Sequence, residues 1–499
     1  MELYERISKT ERVILTFALM SGVFMAILDT TIVDIIVPRL TGPLSTDLYG
    51  VQWVITSYMT AAASAILIVE WLESLIGLRR VFMLGLFVFT LSSFFCARAN
   101  SLEWMIVSRT FQGFGESLIV VSAESLLFSA YAPSMRGVAM GIYGLGVSFA
   151  PALGPTLGGW ITEHLSWRWV FYINIPIGIF TLMLSAIYLS DYKRQQKHSF
   201  NLFSFGFLTI FTVSTLILLS RGQKEGWFSS LFIVYMFILA VASLTMFFIS
   251  ELLSKNPLVN PKIFRLKEFN VAFLVYMFVL GFSMYQVFYL IPLYFERVKG
   301  LDTFQTGLNV LPLAIAIGIS SIVAGIISDK RSPVIVLIVA FFVYLGTVFG
   351  LLRNVSADSQ ISELRIYLIA LGIGMGLFFA PITQLALKEL GEMTTLGVSL
   401  MHYIRFVGGS FGTALATNHL QSASAKNYQS IIELQEPALV SQWLEHMPGI
   451  FALGAYQQFE ALSRAFGEVF LLSGFWALLG GVWIVFLMGG RRGAKPPIV

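Results

Sequence analysis

Charged residues and cysteines are scarce in this 499-residue chain. Asp, Glu, Lys and Arg make up only 12% of it, whereas soluble proteins are roughly one quarter charged. The single cysteine, Cys96, has no partner for an intramolecular disulfide, and the net charge of +4 supplies no basic surface for nucleic acid. The sequence also contains no Gly-rich Lys-Ser/Thr loop for ATP phosphates, no nucleophile elbow and no metal-ligand motif. These absences exclude nucleic-acid binding and ATP as the energy source, and they disfavour an enzyme.

Apolar residues, in contrast, make up 57% of the chain, and the mean hydropathy is +0.79. A soluble fold could not bury that much apolar surface, whereas one membrane helix needs about 20 apolar residues in succession. We therefore predict an all-α integral membrane protein with twelve to fourteen spans, of which fourteen fits best. The fourteen predicted spans are about 13–36, 52–72, 81–98, 104–128, 138–161, 169–190, 203–220, 229–250, 270–292, 306–327, 333–352, 365–387, 395–417 and 466–488.

The positions of lysine and arginine predict the orientation of the chain. Cytoplasmic connections of membrane proteins are enriched in these residues. The connections on the side of the two termini carry 19 of the 32 basic residues, the opposite connections carry 11, and Arg109 and Arg405 lie within spans. Because an even number of spans leaves both termini on one side, we predict that both are cytoplasmic.

Two long connections divide the chain. Residues 251–268 contain two prolines and four basic residues and are predicted to form a cytoplasmic linker. Residues 418–465 are polar and acidic and are predicted to lie outside the membrane on the opposite side. The linker separates an N-terminal six-helix bundle (1–198) and two inserted helices (199–250) from a C-terminal six-helix bundle (269–499). Glycine-rich segments in spans 5 and 13 are consistent with two related halves, as in many transporters.

Few ionisable residues lie within the predicted spans, where a charge at the bilayer centre costs about 2.5–3.5 kcal/mol. Asp29 in span 1 and Arg109 in span 4 fall at a similar depth, so we expect them to face one polar cavity. Span 4 also contains Glu116 near mid-membrane and Glu124 in its inner third. A carboxylate held out of water favours its protonated form, which would allow these groups to carry protons. The alternative is that Asp29 and Arg109 form a buried packing bridge and that Glu124 reaches the headgroups.

Further polar and aromatic residues are candidates for a substrate cavity. His402 and Arg405 lie three residues apart in span 13, where they either contact a substrate or a carboxylate, or serve packing and capping. An aromatic stripe in span 9 either stacks on a flat ligand or packs against neighbouring helices. The stripe contributes Phe282, Tyr285 and Tyr289 to the cavity candidates. The remaining candidates are Tyr58, Gln112 and Gln286.

Span 5 combines small residues with a proline. Gly154, Gly158 and Gly159 allow another helix to approach closely, and Pro155 removes a backbone donor and permits bending. Membrane helices use glycine and proline generally, so the pattern alone is not specific. We treat these four residues as a candidate gating motif.

Several motifs resemble those of a known transporter family. They are Leu28-Asp29-Thr30-Thr31 in span 1, Arg109-x-x-Gln112-Gly113 in span 4, Gly154-Pro155-x-x-Gly158-Gly159 in span 5, and Arg405-x-x-Gly408-Gly409 in span 13. Together they resemble the major facilitator superfamily, and specifically its fourteen-helix drug:proton antiporter branch, the EmrB-type multidrug exporters. One segment departs from the family pattern: Glu70, Ser74 and Leu75 follow span 2 where Gly, Asp and a basic residue are usual.

The resemblance implies the major facilitator fold, with two six-helix bundles and two extra helices. It also implies proton-coupled efflux of hydrophobic or amphipathic small molecules by alternating access, with the proton gradient in place of a cofactor. By match to the family motifs, Asp29 and Arg109 belong to the coupling machinery. The implied location is the bacterial cytoplasmic (inner) membrane. The implied partners are a periplasmic adaptor (EmrA-type) and an outer-membrane channel (TolC-type), with residues 418–465 as their contact.

Other functions are compatible with parts of this pattern. A dedicated metabolite or siderophore exporter would share all of it and differ only in a narrow substrate range. A transporter-like sensor would bind a ligand without moving it, and we expect such a protein to carry large regulatory tails. A membrane-embedded enzyme is disfavoured by the missing nucleophile and metal motifs.

Overall fold

The computed structural model describes residues 3–189, 200–433 and 447–488. Within these ranges the chain forms helices joined by turns, without a β-strand. Over its described residues, each of the fourteen predicted apolar segments lies on a helix. The prediction of an all-α membrane protein is therefore confirmed, and we number the long helices α1 to α14 after these segments. The side on which α1 begins is called the inner side below.

The long helices follow the chain in three groups. The first six are α1 (Lys9–Leu40), α2 (Trp53–Ile76), α3 (Leu78–Ala97), α4 (Leu102–Ala130), α5 (Arg136–His164) and α6 (Trp169–Tyr188). The inserted pair is α7 (Leu202–Arg221) and α8 (Leu231–Leu253). The last six are α9 (Lys267–Arg297), α10 (Thr303–Lys330), α11 (Pro333–Gly350), α12 (Ile361–Leu387), α13 (Thr394–Glu433) and α14 (Met447–Gly481).

Several helix starts are set by capping side chains. Ser8, Ser101, Asn201 and Asp302 each accept a hydrogen bond from a backbone N–H in the first turn of α1, α4, α7 and α10. At α1 the cap is reciprocal, because Glu11 accepts from the backbone N–H of Ser8 at 2.7 Å. Such caps satisfy N–H groups that have no partner within the helix.

Hydropathy separates α13 from the other helices. Within the described ranges, twelve helices are long and apolar enough to cross a membrane, and α5 makes a thirteenth if its two parts count as one span. The predicted span 395–417 lies on α13, which is not among these. This helix carries His402, Arg405 and many small polar residues, so its mean hydropathy is lower than that of the other predicted spans.

The last two helices of the chain, α13 and α14, are longer than a membrane crossing requires. At 1.5 Å per residue the 40 residues of α13 span about 60 Å, twice the roughly 30 Å of a hydrocarbon core. The helices α13 and α14 pack together, and Asn427 Nδ2 donates to Glu468 Oε1 at 2.9 Å. The predicted polar segment 418–465 is therefore helical over its described residues. Residues 434–446 at its centre lie outside the described ranges.

The helix α5 packs against α10 along its length. At the inner end, a Cβ placed on Gly325 would lie 2.2 Å from the carbonyl oxygen of Gly137, so only glycine permits this approach. Nearer the opposite end, a Cβ on Gly307 would lie 2.2 Å from Thr156 Oγ1. The two bundles are thus in close contact at both ends of this helix pair.

The inserted helix α7 lies over the boundary between α2 and α13. Tyr403 of α13 and Thr212 of α7 have their hydroxyl oxygens 2.8 Å apart. Thr212 already donates to the carbonyl of Leu208, so Tyr403 is the donor. At the other end of α7, the Arg221 guanidinium lies 5.0 Å from the centre of the Trp53 ring of α2. The inserted pair therefore contacts both bundles.

Candidate functional site

Four polar residues lie along one side of α4. At 3.6 residues per turn, they fall within about one third of the helix circumference. They are Arg109, Gln112, Glu116 and Glu124, which are 1%, 0%, 7% and 2% exposed. The candidate proton-coupling residues of span 4 thus form one buried polar row that crosses most of the membrane.

The outer end of this row is a hydrogen-bonded network that we call the outer cluster: Asp29, Arg109, Gln112 and Asn174. Arg109 Nη1 donates to Asp29 Oδ2 at 2.6 Å. Asp29 Oδ1 accepts from Gln112 Nε2 at 3.0 Å and from Asn174 Nδ2 at 2.6 Å. Asp29 and Arg109, which we expected to face one cavity, are in direct contact here. Both carboxylate oxygens are occupied.

Three further contacts hold the Arg109 guanidinium. Its centre lies 3.9 Å from the centre of the Tyr58 ring, a cation–π geometry. Its Nε donates to the backbone oxygen of Val54 at 3.3 Å, and Nη1 also donates to Gln112 Oε1 at 2.8 Å. Tyr58, a predicted cavity residue, is fully buried beneath Arg109. A charge held in this way resists displacement as long as Asp29 compensates it.

Glu116 lies between the two ends of the row. It follows Arg109 by seven residues, about 10 Å along the helix axis. Its charge interacts with those of Asp29, Arg109 and Arg405. Among the described residues, none forms a hydrogen bond to Glu116 Oε2. A buried acid without a partner at this oxygen is costly as an ion, which favours a role in binding a proton or a cation.

The inner end of the row crosses from one bundle to the other. His402 Nε2 of α13 lies 2.5 Å from Glu124 Oε2 of α4. Arg405 Nη2 lies 3.0 Å from His402 Nδ1, and Tyr143 Oη of α5 lies 3.4 Å from His402 Nε2. We call these four residues the inner cluster. It joins Glu124, a candidate coupling residue, to two candidate cavity residues.

The aromatic stripe of α9 is divided between different surroundings. Residues Tyr276–Ser283 form a π-helix, which changes the spacing on which the stripe was predicted. The Phe282 ring packs 5.0 Å from Trp476 and 5.9 Å from Phe411. Tyr285 lies against Gly409 of α13. In this conformation Phe282 and Tyr285 belong to helix packing.

Two other cavity candidates of α9 differ in burial. Tyr289 is 37% exposed, whereas Gln286 is fully buried. Neither Oε1 nor Nε2 of Gln286 has a hydrogen-bond partner within the described ranges. A buried amide normally forms such bonds, so Gln286 is suited to contact a polar group of a bound molecule.

The candidate gating motif lies at a bend in α5. The two parts of the helix meet at 41° between Pro151 and Thr156, a stretch that includes Gly154 and Pro155. A Cβ on Gly154 would lie 2.2 Å from Thr31 Oγ1 of α1, and one on Gly158 would lie 3.3 Å from Ile32 Cγ2. Gly159 faces Phe304 of α10 at 3.7 Å. The motif thus borders helices of both bundles.

A carboxylate that we did not predict as a site residue joins the inner ends of the bundles. Asp329 of α10 accepts from the backbone N–H groups of Gly137 and Val138, at 2.7 and 2.8 Å. These N–H groups begin α5, where an acidic side chain also interacts favourably with the helix dipole. Gln384 Nε2 of α12 donates to the same Asp329 at 3.0 Å.

The described conformation keeps the polar row away from water. Asp29 and Glu116 are 1% and 7% exposed. Two shallow clefts lie where α7 meets α2 and α13; they have almost no room for a water molecule, and neither is lined by these acids. Proton exchange at Asp29 therefore requires a second conformation. The described residues also contain no group of three or more side chains suited to hold a metal ion.

A polar row buried between helical bundles, with hydrogen bonds across their boundary, is typical of membrane transporters. The model of the Major Facilitator Superfamily matches residues 19–413. The chain belongs to this superfamily, as its motifs indicated, and it is a multi-pass membrane protein.

Individual relatives cover most of the chain. Multidrug export protein EmrB of Haemophilus influenzae is 29% identical over 499 residues, which covers 97% of this chain and 96% of that protein. The riboflavin transporter RibZ of Clostridioides difficile is 28% identical over 410 residues, covering 81% and 88%. The solved structure of the human organic anion transporter MFSD10 aligns with a TM-score of 0.57 at 12% identity, covering 93% and 99%. This last similarity shows the fold alone and confirms the prediction of a major facilitator fold.

Proposed function

We propose that this protein exports hydrophobic or amphipathic small molecules across the bacterial cytoplasmic membrane in exchange for protons. The observation that carries this proposal is the buried polar row of α4, where Glu116 has a free carboxylate oxygen among the described residues. A carboxylate that gains and loses a proton within the membrane needs an oxygen that is not already held by a hydrogen bond. Similarity to the multidrug export protein EmrB over nearly the full chain supports the substrate class.

The outer cluster provides the first step of the mechanism. As long as Asp29 is ionised, its contacts to Arg109, Gln112 and Asn174 hold α1, α4 and α6 together. A proton on Asp29 removes the charge that compensates Arg109, which weakens this network. This proton reaches Asp29 in a second conformation that is open toward the outer side, and the weakened network then allows the helices to rearrange and close behind it.

Glu116 and Glu124 provide the later steps. Glu116 carries a proton or contacts a cationic substrate at mid-membrane. Glu124 releases the proton to the inner side once its contact to His402 opens. The bend of α5 and the close contact of α5 with α10 allow the two bundles to move relative to each other, which is the motion of alternating access.

A dedicated exporter of one metabolite is the second candidate. Similarity to the riboflavin transporter RibZ favours it, and Gln286 with its free polar atoms suits the recognition of one defined group. A broad substrate profile in transport assays would favour multidrug export, and a narrow one would favour this alternative.

We also propose how the protein is placed and with what it assembles. The excess of basic residues on the inner side supports cytoplasmic termini. The extensions of α13 and α14 then project into the periplasm, where they would contact an EmrA-type adaptor that leads to a TolC-type channel.

Transport in proteoliposomes tests the proposal. The full-length protein is reconstituted, a lipophilic dye is loaded, and a pH step is imposed. We expect pH-driven dye movement in the wild type, and its loss in Glu116→Gln. Glu103→Gln is the matched control, because Glu103 lies exposed at the start of the same helix. Equal pH-driven transport in both variants would contradict the coupling role of Glu116, and no dye movement in the wild type would contradict export.

A further inference from the structure

The hydrogen bonds around His402 define the position of its proton. Arginine has only hydrogen-bond donors, so Arg405 Nη2, at 3.0 Å, donates to His402 Nδ1. His402 Nδ1 is therefore an acceptor and has no proton. The ring proton is on Nε2, which donates to Glu124 Oε2 at 2.5 Å. His402 is thus neutral in this conformation.

Arg405 also has a second acid within electrostatic reach. Because α13 runs outward, Arg405 lies about one helical turn nearer to mid-membrane than His402. The charge of Glu116, on the opposite bundle, interacts with that of Arg405. Arg405 Nε and Glu116 Oε2 are both buried without a hydrogen-bond partner in the described part of the chain. One is a donor and the other an acceptor, so each supplies what the other lacks.

The tyrosines near His402 do not change which groups attract Arg405. Glu124 of α4 and Arg405 of α13 contact its ring directly. Tyr143 of α5 and Tyr276 of α9 interact with Glu124 and Arg405, but a tyrosine is ordinarily neutral at physiological pH. Two acids therefore act on Arg405 through their charge, Glu124 and Glu116. Glu124 is already bonded to His402, so the acceptors that compete for Arg405 are the imidazole and Glu116.

We propose that His402 and Glu116 compete for Arg405, and that a proton on His402 transfers the Arg405 guanidinium to Glu116. The proposal rests on the proposed proton-coupled export and names the residue that links proton binding to the contact between the bundles. A proton from water binds the lone pair of Nδ1, and Nε2 keeps its own proton and its contact to Glu124. Arg405 then loses its acceptor and faces a second cation, so it pairs with the Glu116 carboxylate. Loss of the Nδ1 proton to water reverses the exchange.

The consequence is a change in the contact between the two bundles. In the described state α13 is held to α4 through His402 and Glu124 in the inner third of the membrane. In the protonated state a second ionic contact, between Arg405 and Glu116, forms closer to mid-membrane. His402 acts here as a positioning residue, since it determines which partner Arg405 takes.

Electron spin resonance distance measurements on the full-length protein test this proposal. Labels are placed at Ser134 and Glu389, which are exposed on the inner side of opposite bundles, after replacement of the buried Cys96 by alanine. The pH is varied between about 8 and 5, the interval over which an imidazole usually changes charge. We expect the ratio of two distance populations to change by about 5- to 150-fold, the usual range for coupling between sites.

Three variants provide the comparison. In His402→Asn the side-chain oxygen still accepts from Arg405 but no ring nitrogen can take a proton, so we expect the high-pH distance distribution at every pH. Glu116→Gln removes the competing charge and is expected to lose the pH response as well, which provides a second test if His402→Asn does not fold. The matched control is His164→Asn, because His164 is exposed at the outer end of α5 and should keep the wild-type response.

The outcomes separate this proposal from the proposed function. A pH response that persists in His402→Asn or in Glu116→Gln, or that is missing from the wild type, would overturn the exchange of Arg405. Dye transport is measured on the same samples. A wild type that moves no dye but shows a pH response dependent on His402 would contradict export and support the exchange. Dye transport with an unchanged pH profile in His402→Asn would support export and contradict the exchange of Arg405.

Discussion

The buried pair of Asp29 and Arg109 allows a quantitative stability prediction. Their side chains are 0% and 1% exposed and lie 2.6 Å apart. Asp29→Asn keeps the side-chain size but leaves the guanidinium charge uncompensated, which costs about 3–5 kcal/mol when a buried pair is broken. In addition, the new amide turns a donor toward groups that themselves donate to Asp29, such as Asn174 Nδ2. We therefore expect Asp29→Asn to lower the free energy of unfolding by about 3–5 kcal/mol.

Reversible unfolding in detergent micelles, followed by circular dichroism, provides the measurement. The double variant Asp29→Asn/Arg109→Gln removes both charges and should recover part of the loss, with an interaction energy of about 0.5–3 kcal/mol. Glu460→Gln is the control, since its pair with Arg464 is 29% and 60% exposed. That surface pair should contribute at most about 1 kcal/mol. Equal losses in Asp29→Asn and Glu460→Gln would refute the assignment of Asp29 as the counter-charge of Arg109.

Three further predictions concern contacts of the last six helices with the rest of the protein. Asp329→Ala removes the acceptor of two backbone N–H groups, so a cysteine at Ser328, which is 3% exposed, should react faster with an aqueous thiol reagent; an unchanged rate would contradict the contact. Gly325→Ala places a methyl group against the backbone of α5 and should destabilise the α5–α10 contact by about 1–3 kcal/mol. This is measured as a faster thiol reaction of the cysteine at Ser328. Tyr403→Phe removes one hydrogen bond to Thr212 and should lower the free energy of unfolding by about 0.5–1.5 kcal/mol; a larger loss would indicate repacking.

The helices could be predicted from the sequence because hydropathy is a local property. Each predicted segment needed only its own run of apolar residues, and each lies on a helix. Hydropathy supports α13 less than the other helices. The segment 395–417, which contains His402 and Arg405, was predicted as an apolar run like the others, although α13 is not among the helices that hydropathy marks as spans.

The candidate site could be predicted only in part. Asp29 and Arg109 were expected at similar depth, and this follows from counting residues along two helices. The contact of His402 with Glu124 joins residues 278 positions apart in different bundles, for which a single sequence contains no local pattern. Asn174 was not among the predicted site residues. Asp329 was not predicted because its partners include the backbone N–H groups of Gly137 and Val138, which have no sequence signature.

The position of α7 makes the protein unequal on its two flanks. The hydrogen bond of Thr212 to Tyr403 and the contact of Arg221 with the Trp53 ring hold α7 over the groove between α2 and α13. The groove between α5 and α10 is instead closed by glycine-lined contact of the two helices and by the bonds of Asp329 at its inner end. A hydrophobic molecule dissolved in one leaflet would thus find the α2–α13 groove covered by α7, and the α5–α10 groove bordered only by the two helices that can separate. Lateral entry from the lipid would therefore be limited to the α5–α10 groove, because the inserted helices pack over the other one.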